Sequence, residues 1–325
     1  MQANSPSIIV PLDGSATSET AIPLALAIAR RAGSPVTLVH VHDVGVIAAN
    51  APMTDSGWED ERAAEMGATM RAMAGRFAND TGLGVTAVTL RGRPASSLVQ
   101  HAIDEAASLI VLSTHGRSGF NHAWFGSVAE QVIHSARTPV LVVRAGDPVR
   151  ENVTEPLFRH VLLPIDREQS GAEAVQHALT FGTPCQTAYT LLTVVSAVSV
   201  VAPPFSTLGV TANDPNVERP GAAAQALLER LAEPARTTGA ATDVRVVTHE
   251  RAAPAILEMA ESNIDLIVMP LHQRGSFSRA LFGSVVDKVM RGATVPLLLF
   301  RASQVDEEMP AEASRRPLVS APVDG

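Results

Sequence analysis

The sequence predicts an α/β protein made of two repeated, open five-stranded parallel sheets, each doubly wound with helices on both faces. Three observations predict it. Short apolar runs alternate with amphipathic helical stretches along the whole chain, the pattern of successive βα units. The apolar runs are nearly continuous, as strands buried on both faces of a sheet must be. The segment His115–Val128 recurs as His272–Val285, an offset of 157 residues that also relates Pro139 to Pro296 and Arg144 to Arg301. A period that long is a whole domain, because solenoid units run roughly 20–50 residues.

The elements follow in order. Ser7–Leu12 is a short apolar strand closed by the turn Asp13-Gly14-Ser15. Ala16–Ala32 carries Ile22, Leu26 and Ala29 at helical spacing and stops at Gly33. Pro35–His42 is β-branched and apolar, a second strand, and Val44–Gly57 is a loop. Glu59–Thr81 is a long helix with Met66, Met70, Met73 and Phe77 on one stripe, a core-packing stripe. Val85–Leu90 is a strand, Pro94–Ala107 a helix with proline suited to its first turn, and Leu109–Ser113 a strand. Gly126–Ala136 is a helix and Pro139–Val143 the last strand of the half. The second half repeats the strands at Val161–Ile165, Thr187–Val195, Val244–Thr248, Leu266–Met269 and Leu297–Phe300. The boundaries expected are a first domain 1–150, a second domain 151–303 entered through the linker Glu151–Arg159, and a disordered tail 304–325 rich in proline and acidic residues.

Composition bounds the function. Hydrophobic residues make up 46% and charged residues 18%, which describes a filled globular interior. A formal charge of −8 argues against a nucleic-acid surface. Cys185 is the single cysteine, so no disulfide forms within the chain, and a cytoplasmic location is expected. The polar N-terminus lacks a signal-peptide pattern, and no apolar run nears the ~18 residues that span a bilayer, so no membrane partner is expected.

In open parallel sheets, ligands bind beyond the carboxyl ends of the strands, where the strand order reverses. Two such ends carry candidate groups: Asp13 after the first strand, and Ser113-Thr114-His115-Gly116 after the fourth. Gly126-Ser127-Val128 then opens a helix whose free N–H groups and positive dipole end suit a phosphate.

These residues resemble the universal stress protein family in its tandem two-domain form. The family's nucleotide motif is a glycine, two residues, a second glycine, nine residues, then glycine and serine or threonine; it falls here on Ser113, Gly116, Gly126 and Ser127. Asp13, in Val10-Pro11-Leu12-Asp13, matches the family's first-strand aspartate. Val41 matches the second-strand residue that holds adenine through its backbone. The resemblance covers Ser7–Arg301 and implies strand order 3-2-1-4-5 and adenine nucleotide binding (ATP or AMP, with or without Mg²⁺). It also implies dimerisation through the last strands, either within the chain or as a homodimer. The expected binding set is Pro11, Asp13, Val41, Ser113, His115, Gly116, Gly126, Ser127 and Val128. Serine replaces the motif's first glycine at Ser113. The second half departs further, with Pro270 and Gln273 in place of both loop glycines, and keeps only Asp166, Gly283 and Ser284 as candidates.

Plainer readings stand beside these. Gly126-Ser127 can be a simple helix start, Asp13 a cap of the following helix or a turn brace, Asp166 a structural residue of the same kind, and His115 and His272 loop braces. His40 and His42 share a strand face with no third ligand evident, so a packed or hydrogen-bonded pair is expected over a metal site. Cys185 reads as an inert small residue. Two functional classes remain open: a stress-response binding module whose loop Ser113–Phe125 orders over the phosphates, and a slow ATPase or nucleotidyl-transfer enzyme. The enzyme needs a metal-holding carboxylate near the phosphates, and Asp13 is the one obvious candidate. No catalytic residue and no protein metal site is assigned.

Overall fold

The computed structural model describes residues 6–43, 57–114, 126–144, 156–195, 220–271 and 284–303. The first half runs β1 (Ile8–Pro11), α1 (Ala16–Glu19), α2 (Ile22–Ala32), β2 (Val36–His42), α3 (Gly57–Thr81), β3 (Val85–Arg91), α4 (Pro94–Asp104), β4 (Leu109–Thr114), α5 (Ser127–Ser135) and β5 (Val140–Arg144). The second runs β6 (His160–Pro164), α6 (Glu168–Phe181), β7 (Ala188–Val195), α7 (Pro220–Thr237), β8 (Thr242–Thr248), α8 (Ala252–Ala260), β9 (Leu266–Leu271), α9 (Ser284–Gly292) and β10 (Leu297–Arg301). Most of the expected loop 44–57, part of the linker and the tail 304–325 lie outside the described residues.

Every expected strand is present, with ends within two residues of the sequence reading. Two helices differ. The stretch 16–32 is α1 and α2, broken at Thr20-Ala21. Pro23 causes the break, because it has no N–H to give the Glu19 carbonyl and its ring crowds that position. The helix expected to reach Ala107 stops at Asp104, where Ala106 turns into the left-handed region at φ 47°. Gly33 ends α2 as read, in the left-handed conformation at φ 64°.

The strands form one ten-stranded sheet, ordered β3-β2-β1-β4-β5-β10-β9-β6-β7-β8. Each half keeps the 3-2-1-4-5 order and is parallel throughout. The two five-stranded sheets are therefore edge-joined, through an antiparallel pairing of β5 with β10. Leu298 lies opposite Leu141, Leu297 opposite Val142, and Leu299 opposite Val140. Leu141 and Leu298 are repeat equivalents at the 157-residue offset, so a pseudo-two-fold axis passes through that pair.

Two cores flank the sheet, and both run across the seam. One packs α2, α3, α6 and α7 on one face, with Leu141 and Leu298 at its middle. Met70 is fully buried there, with Met66, Met73 and Phe77 packed beside it, as the stripe predicted. The other core packs α4, α5, α8 and α9 on the opposite face. Polar links reinforce the seam reciprocally. Arg144 Nη2 donates to Met290 O at 2.8 Å, near the C-terminus of α9. Its repeat equivalent, Arg301, donates through Nε to Ala136 O at 3.0 Å and through Nη2 to His134 O, at the C-terminus of α5. Each half thus caps the carbonyl end of the other half's last helix with a cation, where the helix dipole favours one.

Among the described residues no helix is long and apolar enough to cross a membrane. Cys185 is exposed in the turn before β7, with its Sγ 3.3 Å from Thr238 O.

The seam yields a stability prediction. Leu298 is fully buried, so Leu298→Ala should cost ~2–5 kcal/mol through lost transfer energy and the cavity left behind. Urea unfolding should show a lower midpoint with the slope unchanged. A loss below ~1 kcal/mol would contradict a tightly packed seam.

Candidate functional site

The order of the first half reverses at β1, whose neighbours β2 and β4 carry the chain to opposite sides. The crevice beyond the carboxyl ends of β1 and β4 is where such sheets accept ligands. Pro11 ends β1, Val41 lies near the end of β2, Ser113 near the end of β4, and Gly126 is the N-cap of α5.

The turn after β1 is built by hydroxyl groups. Asp13 Oδ1 accepts from the Ser15 amide at 2.9 Å and the Ser15 hydroxyl at 2.6 Å. Ser15 Oγ accepts from the Ser18 amide at 3.2 Å and so caps α1. Gly14 makes this turn possible. Its φ is +86°, and a Cβ there would meet Met66 Cε of α3 at 3.0 Å. Asp13 is exposed, and both turn bonds fall on Oδ1. Partial burial works to raise its pKa, but hydrogen bonds from the Ser15 hydroxyl and amide, from Ser18 and from the Asp13 amide together outweigh it, and the carboxyl sits below the usual 3.8. The result is an ionised carboxylate at the lip of the crevice. Asp13 therefore braces the turn through Ser15, the plainer reading.

The adjoining strand ends present backbone. Leu12 N–H donates to Val39 O at 2.8 Å, beyond the paired residues of β1. Val41 lies two residues further along β2, so its N–H and C=O point to the same side, past the end of β1. Its side chain packs into the core beneath. His40 Nδ1 donates to Leu12 O at 2.9 Å and steadies this corner, whereas His42 Nε2 is buried with no hydrogen-bond partner among the described residues. Among the described residues no group of three or more His, Cys, Asp or Glu could hold a metal ion.

On the β4 side, Ser113 Oγ lies 2.6 Å from Thr20 Oγ1. Thr20 already donates its hydroxyl proton to Thr17 O at 2.6 Å, so Ser113 is the donor of the pair. Serine at the motif's first glycine position is thus anchored to the α1–α2 junction. Sequence reasoning missed Thr20, Ser15 and Ser18. Their signal was the hydroxyl-rich run Ser15-Ala16-Thr17-Ser18-Glu19-Thr20 directly after a strand-end aspartate.

Gly126 has ordinary backbone angles, φ −62° and ψ 148°, and no side chain caps α5. A Cβ on Gly126 would meet nothing within 4 Å. Neither backbone strain nor a neighbour among the described residues demands glycine there. Glu130 N–H donates to Gly126 O at 3.1 Å, the first turn of α5, which leaves the amides of Ser127, Val128 and Ala129 pointing out of the helix. Ser127 is exposed and Val128 packs into the core. His115 and Gly116 lie outside the described residues.

The second half differs at the same points. Asp166 accepts from Ser170 Oγ at 3.3 Å. Pro270, equivalent to Ser113, is buried inside β9 in register with Phe300. It offers neither an N–H nor a hydroxyl. Ser284 opens α9 and is exposed, while His272, Gln273 and Gly283 lie outside the described residues.

Comparison with known proteins follows the repeat. The family model described as universal stress protein family matches residues 5–144 and again 157–301. A universal stress protein of Mycobacterium tuberculosis H37Rv is 26% identical over 300 residues, covering 91% of this chain and 97% of that one. A universal stress protein of Methanocaldococcus jannaschii is 34% identical over 139 residues, 42% of this chain and 81% of the relative. The crystal structure of a universal stress protein from Archaeoglobus fulgidus shares the fold at 19% identity, with TM-score 0.68, over 92% of this chain and 97% of the other.

The Asp13 turn can be tested directly. A depressed carboxyl pKa means that its contribution to stability is fully present above the unfolded value near 3.8 and is lost as pH falls through the lower folded value. Carboxyl carbon NMR should place the Asp13 midpoint below 3.8, and Ser15→Ala should move it upward. Removing the cap should also cost ~1 kcal/mol. A wild-type midpoint at or above 3.8 would refute this account of the turn.

Proposed function

We propose that this chain, which belongs to the universal stress protein family, binds an adenine nucleotide, ATP or AMP, in its first half. On this reading it is a cytoplasmic stress-response protein of two domains, 1–150 and 151–303, followed by the tail 304–325. The second domain acts mainly as the first one's dimerising partner, and the β5–β10 seam makes the chain an intrachain pseudo-dimer.

The observation that carries the proposal is Gly126. It is a glycine with ordinary φ, at the uncapped start of a nine-residue helix, where a side chain would meet open space. What such a glycine accommodates is something the described residues do not supply. A phosphate suits it: the amides of Ser127, Val128 and Ala129 point outward, Ser127 adds a hydroxyl, and the helix dipole favours negative charge. The rest of the crevice suits the remainder of a nucleotide. Val41 offers a backbone donor and acceptor for a base edge, Asp13 an ionised acceptor for a hydroxyl or amino group, and Pro11 and Ser113 flank the space between. His115 and Gly116 complete the expected set on the family pattern.

The same logic assigns the second half a structural role. Pro270 removes an N–H where Ser113 stands, and Gln273 adds bulk where Gly116 stands. Asp166, Gly283 and Ser284 keep the scaffold of a site without its loop.

The test is release of nucleotide from denatured purified protein, identified by chromatography and mass, together with titration of ATP and AMP. Gly126→Glu should weaken nucleotide binding by about tenfold or more, equivalent to ~1.4 kcal/mol or more. Gly283→Glu should leave binding unchanged. No released nucleotide and no thermal shift with either compound would sink the reading, and the reverse ranking of the two variants would move the site to the second half. Sustained Mg²⁺-dependent ATP turnover abolished by Asp13→Ala would favour the enzyme reading instead.

A further inference from the structure

A cavity of about 620 Å³ opens between the two halves, away from the crevice just described. It lies at the opposite end of the first half's strands: Ile8 begins β1 and Leu109 begins β4, and both line it. Ile28 of α2 and Leu157, just ahead of β6, complete an apolar wall drawn from both halves. All four of these side chains are also members of one buried core. The size is that of a small-molecule site, which typically holds ~300–1,000 Å³.

One cation faces this apolar space. Arg31, in the last turn of α2, lines the cavity beside Thr183 and His177. Its Nη1 donates to Thr183 Oγ1 at 3.1 Å, a bond that crosses from one half to the other. Arg31 is half-buried, and burial lowers its pKa with no carboxylate among the described residues acting in the other direction. That contrasts with Arg236, which two glutamates hold above the usual value. The His177 ring is packed on Phe300 at 4.4 Å between centroids. Burial pushes its pKa down, against the pull of Glu173. His177 is therefore mainly neutral at pH 7 and does not compete for an anion as a second cation. A partly desolvated guanidinium without a counter-charge is costly, and a carboxylate is its best-matched partner because it can accept two parallel N–H bonds.

We infer that this inter-half cavity binds a small amphiphilic carboxylate, with its hydrocarbon or aromatic body along Ile8, Ile28, Leu109 and Leu157 and its single anionic group on Arg31. The site is independent of the nucleotide crevice. It is made by the meeting of the halves, so neither half forms it alone.

The experiment uses the full chain, with decanoate as probe and decanol as its uncharged counterpart, in calorimetric titration below the micellar range of decanoate. Decanoate should bind at least about tenfold more tightly than decanol, the scale of a charge-assisted hydrogen-bonded pair. Arg31→Gln should reduce decanoate to the level of decanol. Ala32→Trp, at an exposed position on the cavity wall, should abolish binding of both compounds while circular dichroism stays unchanged. This second variant keeps the test open if Arg31→Gln does not fold. Gly126→Glu should leave decanoate binding intact, which separates this site from the nucleotide reading. The inference is overturned if decanoate does not bind at millimolar concentration, if decanol binds equally well, or if either cavity variant binds decanoate as the wild type does.

Discussion

The antiparallel pairing of β5 with β10 is the constraint on which the rest of this structure depends. Each five-stranded half ends in a short strand, apolar up to its terminal arginine, an edge that invites pairing with another strand. Here each half covers the other's edge. Because Leu141 and Leu298 are repeat equivalents and lie opposite one another, the pairing is self-complementary. Any one-residue slip would turn Leu141 and Leu298 out of one core and Val140, Val142, Leu297 and Leu299 out of the other. Register, core continuity and the relation between the halves are thus a single physical requirement.

The seam also reaches into the sites. Helix α5 has its amino end at the crevice beyond β1 and β4, and its carboxyl end held by Arg301 from the second half. Helix α9 is held in the same way by Arg144. The end of α5 that presents free amides is therefore steadied from a different domain, through a helix only nine residues long. The symmetry stops at the end of the fourth strand of each half: Ser113 and Pro270 occupy equivalent positions with different hydrogen-bonding capacity. Scaffold residues, held by packing that both halves need, are alike in the two copies. Of the residues expected at the site, Ser113 and Gly116 give way to Pro270 and Gln273, while Asp13, Gly126 and Ser127 recur as Asp166, Gly283 and Ser284.

Much of this was legible in the sequence, for identifiable reasons. Strands showed because burial on both faces leaves unbroken apolar runs. The repeat showed because Phe-Gly-Ser-Val opens the last helix of both halves. Asp13, Ser113 and Gly126 were found because strand ends and helix starts are local features. Less legible was the division of labour at the turn after β1. Asp13 reads equally as a ligand, a helix cap or a turn brace, and only the structure shows that Ser15 is the cap and Asp13 holds Ser15. The Thr20–Ser113 bond joins residues 93 positions apart, and no local pattern announces it. The split between α1 and α2 was available in Pro23 and was overridden by the apolar periodicity around it.

The sequence by itself determined the family, the two α/β halves, the order of elements and the asymmetry between the motif loops, because each is written in local periodicity or in the comparison of one copy with the other. Only the tertiary structure decided that the halves share one ten-stranded sheet with two common cores. The same holds for the crossing of Arg144 and Arg301 to the opposite helices, and for the apolar cavity with Arg31 at its edge. Those features join residues from different halves. Their energies come from burial and hydrogen bonds between groups that no sequence period relates, so they exist only once the seam has closed.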